Sequence, residues 1–318
     1  MITTNVALAA EYLKKEDVVG IPTETVYGLA GNIFSTKAIE KIYSIKKRPS
    51  YNPLIVHISS VEYLNDIAKE MPETAKMLAE KFWPGPLTLL LKKKDIIPNA
   101  VTAGKETVAI RIPNHSMAID LLNKLDFPLA APSANPFKSI SPTQAIHVEN
   151  YFKEKIPLVL DGGACRNGIE STIIGFEKEV PVVYRLGSVS LESIEQVVGE
   201  VKLFNKSNHS PEAPGMLLKH YSPNTEILLT DNINEAINNY AGKRIGILSF
   251  FNSYNNQNIA SECILSPGKD LSEAASNLYA ALHRLDKENL DIILAERFPS
   301  EGLGRTINDR LERAAEKE

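Results

Sequence analysis

Short, strongly apolar runs recur along this chain, most of them bounded by Gly, Pro or Asn, with stretches of helical periodicity interspersed among them. Leu54-Ile55-Val56-His57-Ile58 opens behind Asn52-Pro53, and Leu87-Thr88-Leu89-Leu90-Leu91 starts directly after Trp83-Pro84-Gly85-Pro86. Further strand-like runs lie at 17–21, 107–112, 158–160, 171–176 and 181–185, with a strand from Leu129 running into a loop at Pro132. Between them, apolar residues recur every three or four positions over 3–15, from Ser35 or Thr36 to Pro49, over 72–82, around 118–125 and over 190–198. Ser141-Pro142-Thr143-Gln144 reads as a capping-box start of one more helix, with proline at its first position. Strands alternating with helices in this way restrict the chain to an open α/β sheet.

With 318 residues the chain is too long for one ordinary core, and two domains are expected. Composition shifts between Phe204 and Pro223, which is rich in Asn, Ser, Pro and His and has little periodicity. The reading is a first domain over 1–203, a linker over 204–224 and a second α/β domain over 225–318. In the second, strands are expected at 226–230, 244–249, 262–265 and 291–294. Helices are expected over 233–240, after the capping box Asp270-Leu271-Ser272-Glu273, and over 306–315.

A hydrophobic fraction of 43% and a charged fraction of 23% are those of a soluble globular protein. The formal net charge of −4 excludes the broad basic field that drives nonspecific nucleic-acid binding, so any anion site is a local concentration of cations. Cys165 and Cys263 form no CxxC and no Cys/His cluster, which argues against a zinc site or a disulfide framework and fits a reducing cytosol. No apolar run reaches the ~20 residues of a membrane span, and no signal-peptide pattern opens the chain.

Polar residues set inside the apolar strands carry most of the chemical information. Side chains alternate between sheet faces, so His57 shares a face with Ile55 and Ser59, and Arg111 with Thr107 and Ala109. Arg185 interrupts a third apolar strand. A buried guanidinium without a partner costs several kcal/mol (order of magnitude), so each arginine needs an internal carboxylate or an anionic ligand. Glu24, Asp161 and Glu170 are the carboxylates placed for that task, and Lys46/Arg48, Arg111 and Arg185 compete for them. A bound polyanion is the more economical partner.

The stretch 20–59 gathers the remaining elements of an anion-binding wall: the hydroxyl-bearing turn Pro22-Thr23-Glu24-Thr25-Val26-Tyr27-Gly28, expected to lead into the amphipathic helix, that helix's cationic end Lys46-Lys47-Arg48 and the lone His57. Each also has an ordinary explanation. A basic run at a helix C-terminus favours the helix dipole while fully solvated. Ser133-x-Asn135 before Pro136 suits a turn, His57 suits a satisfied core, Ser141 suits an N-cap, and His220 in the linker would be exposed. There is no GxxxxGK[ST], no GxGxxG opening a helix, no HExxH and no GxSxG. Any nucleotide chemistry must then rest on positioning and fixed charge, not on a covalent nucleophile.

Taken in order, several motifs resemble the YrdC-like family of threonylcarbamoyl-AMP synthases. They are Pro22-Thr23-Glu24-Thr25-Val26-Tyr27-Gly28-Leu29, Lys46-x-Arg48 with Ser133-x-Asn135, Asn52-Pro53-Leu54 and Phe82-Trp83-Pro84-Gly85-Pro86-Leu87-Thr88. The segments Ala213-Pro214-Gly215-Met216, His220-Tyr221-Ser222-Pro223, Gly302-Leu303-Gly304 and Asn308-Asp309-Arg310-Leu311 look like its longer, two-domain branch. Thr306 departs from that pattern, where a small residue is usual.

The resemblance implies a YrdC-like twisted mixed sheet around a large concave cavity, plus a small Rossmann-like C-terminal α/β domain. It implies the conversion of L-threonine, bicarbonate and ATP into threonylcarbamoyl-AMP and pyrophosphate, the first step of tRNA t6A37 modification in the cytoplasm. Thr25, His57, Arg111, Ala131 and Ser171 match positions that hold threonine. Arg48, Asn52, Thr107, Ser133, Ser141 and Arg185 match positions that hold ATP, with His220 and Tyr221 lying over the nucleotide. Lys46, Arg48, Ser133 and Asn135 form a tetrad around the reacting groups. Mg2+ would arrive with ATP, without a protein metal site, and the product would pass to the tRNA threonylcarbamoyl transferase machinery, with direct tRNA contact left open. Two other readings share the domain: an RNA-binding module without adenylylation activity, which should show stacking aromatics and a basic stripe, and a carbamoyltransferase, which would bring acylphosphatase and zinc-finger segments.

Overall fold

In a computed structural model that describes residues 1–204 and 220–316, the apolar runs become strands of two sheets. The first sheet contains β1 (Ile2–Thr3), β2 (Val19–Ile21), β3 (Gly28–Asn32), β4 (Ile55–His57), β5 (Leu87–Lys92) and β6 (Thr107–Arg111). It continues with β7 (Leu129–Ala130), β8 (Val159–Leu160), β9 (Thr172–Glu177), β10 (Val180–Arg185) and β11 (Lys202–Leu203). Among the described residues these eleven strands lie in the order β1-β8-β2-β3-β7-β4-β6-β5-β9-β10-β11, with parallel and antiparallel neighbours mixed. The second sheet holds β12 (Ile227–Thr230), β13 (Ile245–Ser249), β14 (Ile259–Ile264) and β15 (Ile292–Glu296), all parallel, in the order β12-β15-β13-β14.

The helices of the first domain are α1 (Val6–Lys14), α2 (Thr36–Lys46), α3 (Leu64–Ile67), α4 (Glu73–Phe82), α5 (Asn99–Thr102), α6 (Ser116–Asn123), α7 (Ala145–Phe152) and α8 (Leu191–Val198). The second domain adds α9 (Ile233–Asn239), α10 (Leu271–Leu285) and α11 (Gly302–Ala315). Ser35 caps α2 by accepting from the Ala38 N–H, and Asp270 caps α10 by accepting from Ser272 and Glu273, as their sequence signatures predict.

Strand alternation divides the first sheet into two faces. Val56, Leu89, Leu91, Val108 and Ile110 join the main core with Ile39 and Ile42 of α2 and with Ala75 and Leu78 of α4. Ile55, Leu90, Ala109 and Ile173 form a small apolar group of their own, and Ile55 with His57 and Arg111 borders a cavity. One face is thus the hydrophobic floor of the fold and the other carries polar groups. The two domains also share a core, in which Val26, Ile140 and Ile169 of the first pack with Leu278, Ile307 and Leu311 of the second.

Three sequence expectations are corrected. The turn at 22–28 leads first into β3, antiparallel to β2, and only then to α2; Gly28-Leu29-Ala30-Gly31-Asn32 has little strand propensity, and pairing on both sides forms it. Ser141 does not cap a helix: α7 starts at Ala145, and the Ser141 side chain is turned inward to Glu170. The last helix begins at Gly302 instead of Thr306, because tertiary packing overrides the poor helix propensity of Gly302-Leu303-Gly304.

Candidate active site

The end of α2 sets one wall of the cavity. Lys47 takes a left-handed conformation (φ 52°) that closes the helix, and the Arg48 N–H then bonds the Tyr43 carbonyl at 2.9 Å. Lys47 stays exposed while its neighbours turn inward, leaving Lys46 1% and Arg48 8% exposed. The Lys46 ammonium donates to the Ser133 and Asn135 carbonyls at 2.6 and 2.5 Å, tying α2 to the Ser133-x-Asn135 loop. Arg48 donates to the Asn52 carbonyl, to Asn52 Oδ1 (2.6 Å) and to the Pro53 carbonyl (2.7 Å). Neither cation forms an ion pair among the described residues. Burial, followed by the Arg48 charge, pushes the Lys46 ammonium well below its usual pKa; burial and, more weakly, Arg185 lower Arg48 to about 10. The basic run is therefore not the solvated helix end that its composition also allowed.

The floor comes from strand ends. His57 and Arg111 are register partners on the parallel strands β4 and β6. Arg111 donates from Nη1 to Thr25 Oγ1 at 2.8 Å and from Nε to the Gly85 carbonyl at 3.2 Å, and it pairs through Nη2 with Glu24 Oε1 at 2.8 Å. The Trp83-Pro84-Gly85-Pro86 turn thus does more than end α4: it presents a carbonyl to the guanidinium. His57 Nδ1 lies 3.3 Å from the Ile55 carbonyl, which can only accept, so the proton sits on Nδ1. Burial, and then the Arg111 charge, lowers its pKa to about 3, and the imidazole is neutral near pH 7.

The far wall is the start of β9 and the end of β10. Arg185 donates from Nε and Nη2 to the Ser171 carbonyl and from Nη2 to Ser171 Oγ, whose hydroxyl also shares a 2.7 Å hydrogen bond with Thr88. A register shift between Val183 and Arg185 re-aims the arginine. His220 and Tyr221 close the space, both buried, contrary to the exposure expected of a linker histidine. His220 sits near four cations, Arg48, Lys46, Arg313 and Arg310, and burial followed by their charges lowers its pKa.

The cavity is partly open and small, about 50 Å3. Of the residues singled out by sequence, Thr25, Arg48, His57, Arg111, Ala131, Ser133, Ser171, Arg185, His220 and Tyr221 line it. Lys46, Asn52, Asn135 and Ser141 stand one layer behind, bonded to the lining or to its loops. Thr107 lies at the opposite end of β6 from Arg111, paired with Lys92. Of the linker, Ala213-Pro214-Gly215-Met216 falls outside the described residues. Sequence reasoning missed Thr23, whose hydroxyl bonds Thr25 Oγ1 at 2.8 Å, and Glu170, which also lines the cavity. Thr23 stands inside the hydroxyl-bearing turn, and Glu170 reads from the sequence only as an available carboxylate.

Comparison with known proteins agrees with this architecture. Residues 11–187 match the Sua5/YciO/YrdC family model, described as telomere recombination, and residues 189–316 match the threonylcarbamoyl-AMP synthase C-terminal domain. The chain is 40% identical to the threonylcarbamoyl-AMP synthase of Pyrococcus abyssi, over 98% of this chain and 94% of that one. It is also 40% identical to that of Bacillus subtilis, over 98% and 92%. The crystal structure of P. abyssi Sua5 complexed with L-threonine superposes with a TM-score of 0.91, at 40% identity, covering 98% of this chain and 94% of the other. The chain, a mixed eleven-stranded sheet joined to a parallel four-stranded domain, matches these relatives over nearly its whole length and belongs to the threonylcarbamoyl-AMP synthase family in its two-domain, Sua5-type form.

Proposed function

We propose that the chamber joins L-threonine, bicarbonate and ATP into threonylcarbamoyl-AMP and pyrophosphate, with threonine on the strand floor and the nucleotide against the two cationic walls. One observation carries the reading: among the described residues the buried charge of Arg48, which borders the chamber, is met by carbonyl and amide oxygens alone, while beyond the effect of burial Arg48 lowers the Lys46 pKa and is itself lowered by Arg185. A triphosphate would relieve Lys46 and Arg48 and could reach Arg185. On the floor, Arg111 and the Thr25 hydroxyl offer donors suited to a carboxylate, with His57, Ala131 and Ser171 shaping the space for the threonine side chain.

In this reading the threonine amine adds to CO2 derived from bicarbonate, and a carbamate oxygen then attacks the α-phosphorus as pyrophosphate departs. The substrates are anions, so the residues act by neutralising and orienting them. Lys46 and Asn135 hold the loop that carries Ser133, and Arg48 faces the phosphates. Asn52 fixes Arg48, Arg185 borders the nucleotide, and Ser141 supports that wall from behind through Glu170. Thr107, at the far end of β6, lies outside the chamber lining, and its nucleotide role rests on the family resemblance alone. His57 serves to shape and orient, since an imidazole with a pKa near 3 is a weak base.

Mg2+ would be carried on the triphosphate and add positive charge there. The hard oxygen donors that the chamber offers, the Thr25, Ser133 and Ser171 hydroxyls, suit the water shell that Mg2+ keeps when it is bound through phosphates. A cavity of about 50 Å3 is too small for both substrates, so the reading requires His220 and Tyr221 to withdraw on entry and return over the nucleotide, excluding water from a labile mixed anhydride. A cytoplasmic enzyme handing its product to the tRNA threonylcarbamoyl transferase machinery completes the proposal.

The test is pyrophosphate release with ATP, Mg2+ and bicarbonate, adding each amino acid in turn. Threonine should stimulate release several-fold and serine or valine far less. Release that threonine does not raise above the ATP-only rate overturns the reading.

A further inference from the structure

Glu170 lies where the two domains meet. Its Oε1 accepts a 2.6 Å hydrogen bond from the Ser141 hydroxyl. Its Oε2 accepts from the Tyr279 hydroxyl and from Arg310 Nε, both at 2.9 Å. Ser141 belongs to the first domain, whereas Tyr279 stands on α10 and Arg310 on α11 of the second. All four residues are buried, Arg310 to 1% exposure. Burial alone would raise the Glu170 carboxyl, but Arg310, Arg185 and the Ser141 hydroxyl outweigh it and hold the group ionised.

The same two side chains reach the other parts of the nucleotide wall. Arg310 Nη2 donates to the Leu186 carbonyl at 2.6 Å, and its neighbour Thr306 donates to the Gly187 carbonyl at 3.1 Å. Leu186 and Gly187 directly follow Arg185, so α11 grips the strand end that aims this arginine. The Arg310 guanidinium also lies over the Tyr221 ring, 4.8 Å from its centroid, and Tyr279 stacks on that ring at 5.7 Å.

Adhesion between the domains does not need this arrangement, because the shared apolar core already provides it. A buried ion pair is costly to desolvate, and its return is a defined geometry. Here that geometry ends on Ser141, Arg185 and Tyr221. We infer that Tyr279 and Arg310 are positioning residues by which the second domain holds the nucleotide side of the chamber. The inference rests on the function proposed above, and it gives the second domain a part in ATP binding.

The test uses the full chain with Tyr279→Phe, Arg310→Lys and Glu170→Gln. Pyrophosphate kinetics with ATP and threonine varied separately are paired with calorimetric binding of threonine and of a non-hydrolysable ATP analogue. Tyr279→Phe and Arg310→Lys should raise the analogue Kd and the KM for ATP about fivefold or more, with threonine Kd held within about twofold. Combined with Glu170→Gln, Tyr279→Phe should add less than about twofold, because it acts through that carboxylate. Variants that melt earlier yet bind the analogue within about twofold of wild type would make the contact mere packing and overturn the inference; so would equal loss of both ligands. Tyr279→Phe removes one hydroxyl and decides the matter if Arg310→Lys does not fold. If the wild type shows no threonine-dependent turnover, the proposed function fails, while analogue affinity still judges the inference.

Discussion

Arg111 illustrates how one residue can satisfy two explanations that sequence presents as alternatives. The internal carboxylate exists, since Glu24 pairs with Nη2, yet the same guanidinium borders the chamber. Glu24 is itself 2% exposed, so Arg111→Ala leaves its charge buried and unpaired, at a cost of about 3–5 kcal/mol. The double variant Arg111→Ala/Glu24→Gln should recover most of that stability in urea unfolding while threonine affinity stays lost. Recovery of threonine binding in the double variant would reduce Arg111 to a structural role. Lys46 teaches the converse lesson. Its position in a basic run pointed to solvent as readily as to a ligand, but Lys46 continues the buried face of α2 set by Ile39 and Ile42, and the left-handed turn at Lys47 then brings Arg48 inward as well.

At the scale of elements, the chamber depends on backbones that approach closely. A Cβ on Gly187 would lie 2.4 Å from the Ser171 carbonyl carbon and the Thr172 nitrogen, which are main-chain atoms with little freedom to yield. Gly187→Ala should therefore destabilise the fold by about 2 kcal/mol or more and weaken both threonine and nucleotide binding, because it pushes apart the segments bearing Ser171 and Arg185. Urea unfolding and calorimetry would check this; unchanged affinities would mean that the strand ends can shift without disturbing the site. Elements with strong local signals, such as α2 behind Ser35, α10 behind Asp270 and the apolar strands β4, β5 and β6, were legible in the sequence within a residue or two. The strand β3 and the start of α11 were not, because glycine-rich segments carry no periodicity and take their form from neighbours.

Across the whole molecule, histidines buried without charge make stability depend on pH. Burial is the leading cause in each case: His57 and His147 are lowered to about 3, and His283 to about 4. His147 and His283 stack at 3.9 Å across the domain boundary, so protonating either also sets charge against the other. The unfolded chain, with histidines near 6.5, binds protons that the folded chain refuses. Stability is therefore complete above about pH 6.5 and falls as the pH drops through the window toward 4, by up to ~1.4 kcal/mol per pH unit for each histidine. Urea unfolding at pH 7.5, 6.5, 5.5 and 5.0 should show this decline, and a flat profile would contradict the neutral burial of these rings. By itself the sequence determined the α/β class, the run of strands and the cation-rich, hydroxyl-rich residues of the candidate site, since alternation, capping and motif spacing are local properties. Only the tertiary structure decided that Arg111 pairs with Glu24 while Lys46 and Arg48 find carbonyl oxygens, that His220 is buried, that Ser141 serves Glu170 in place of a helix end, and that Tyr279 and Arg310 reach Glu170 from the second domain. Partners more than a hundred positions apart leave no local pattern, and burial sets the energy of a charge only once the chain has closed around it.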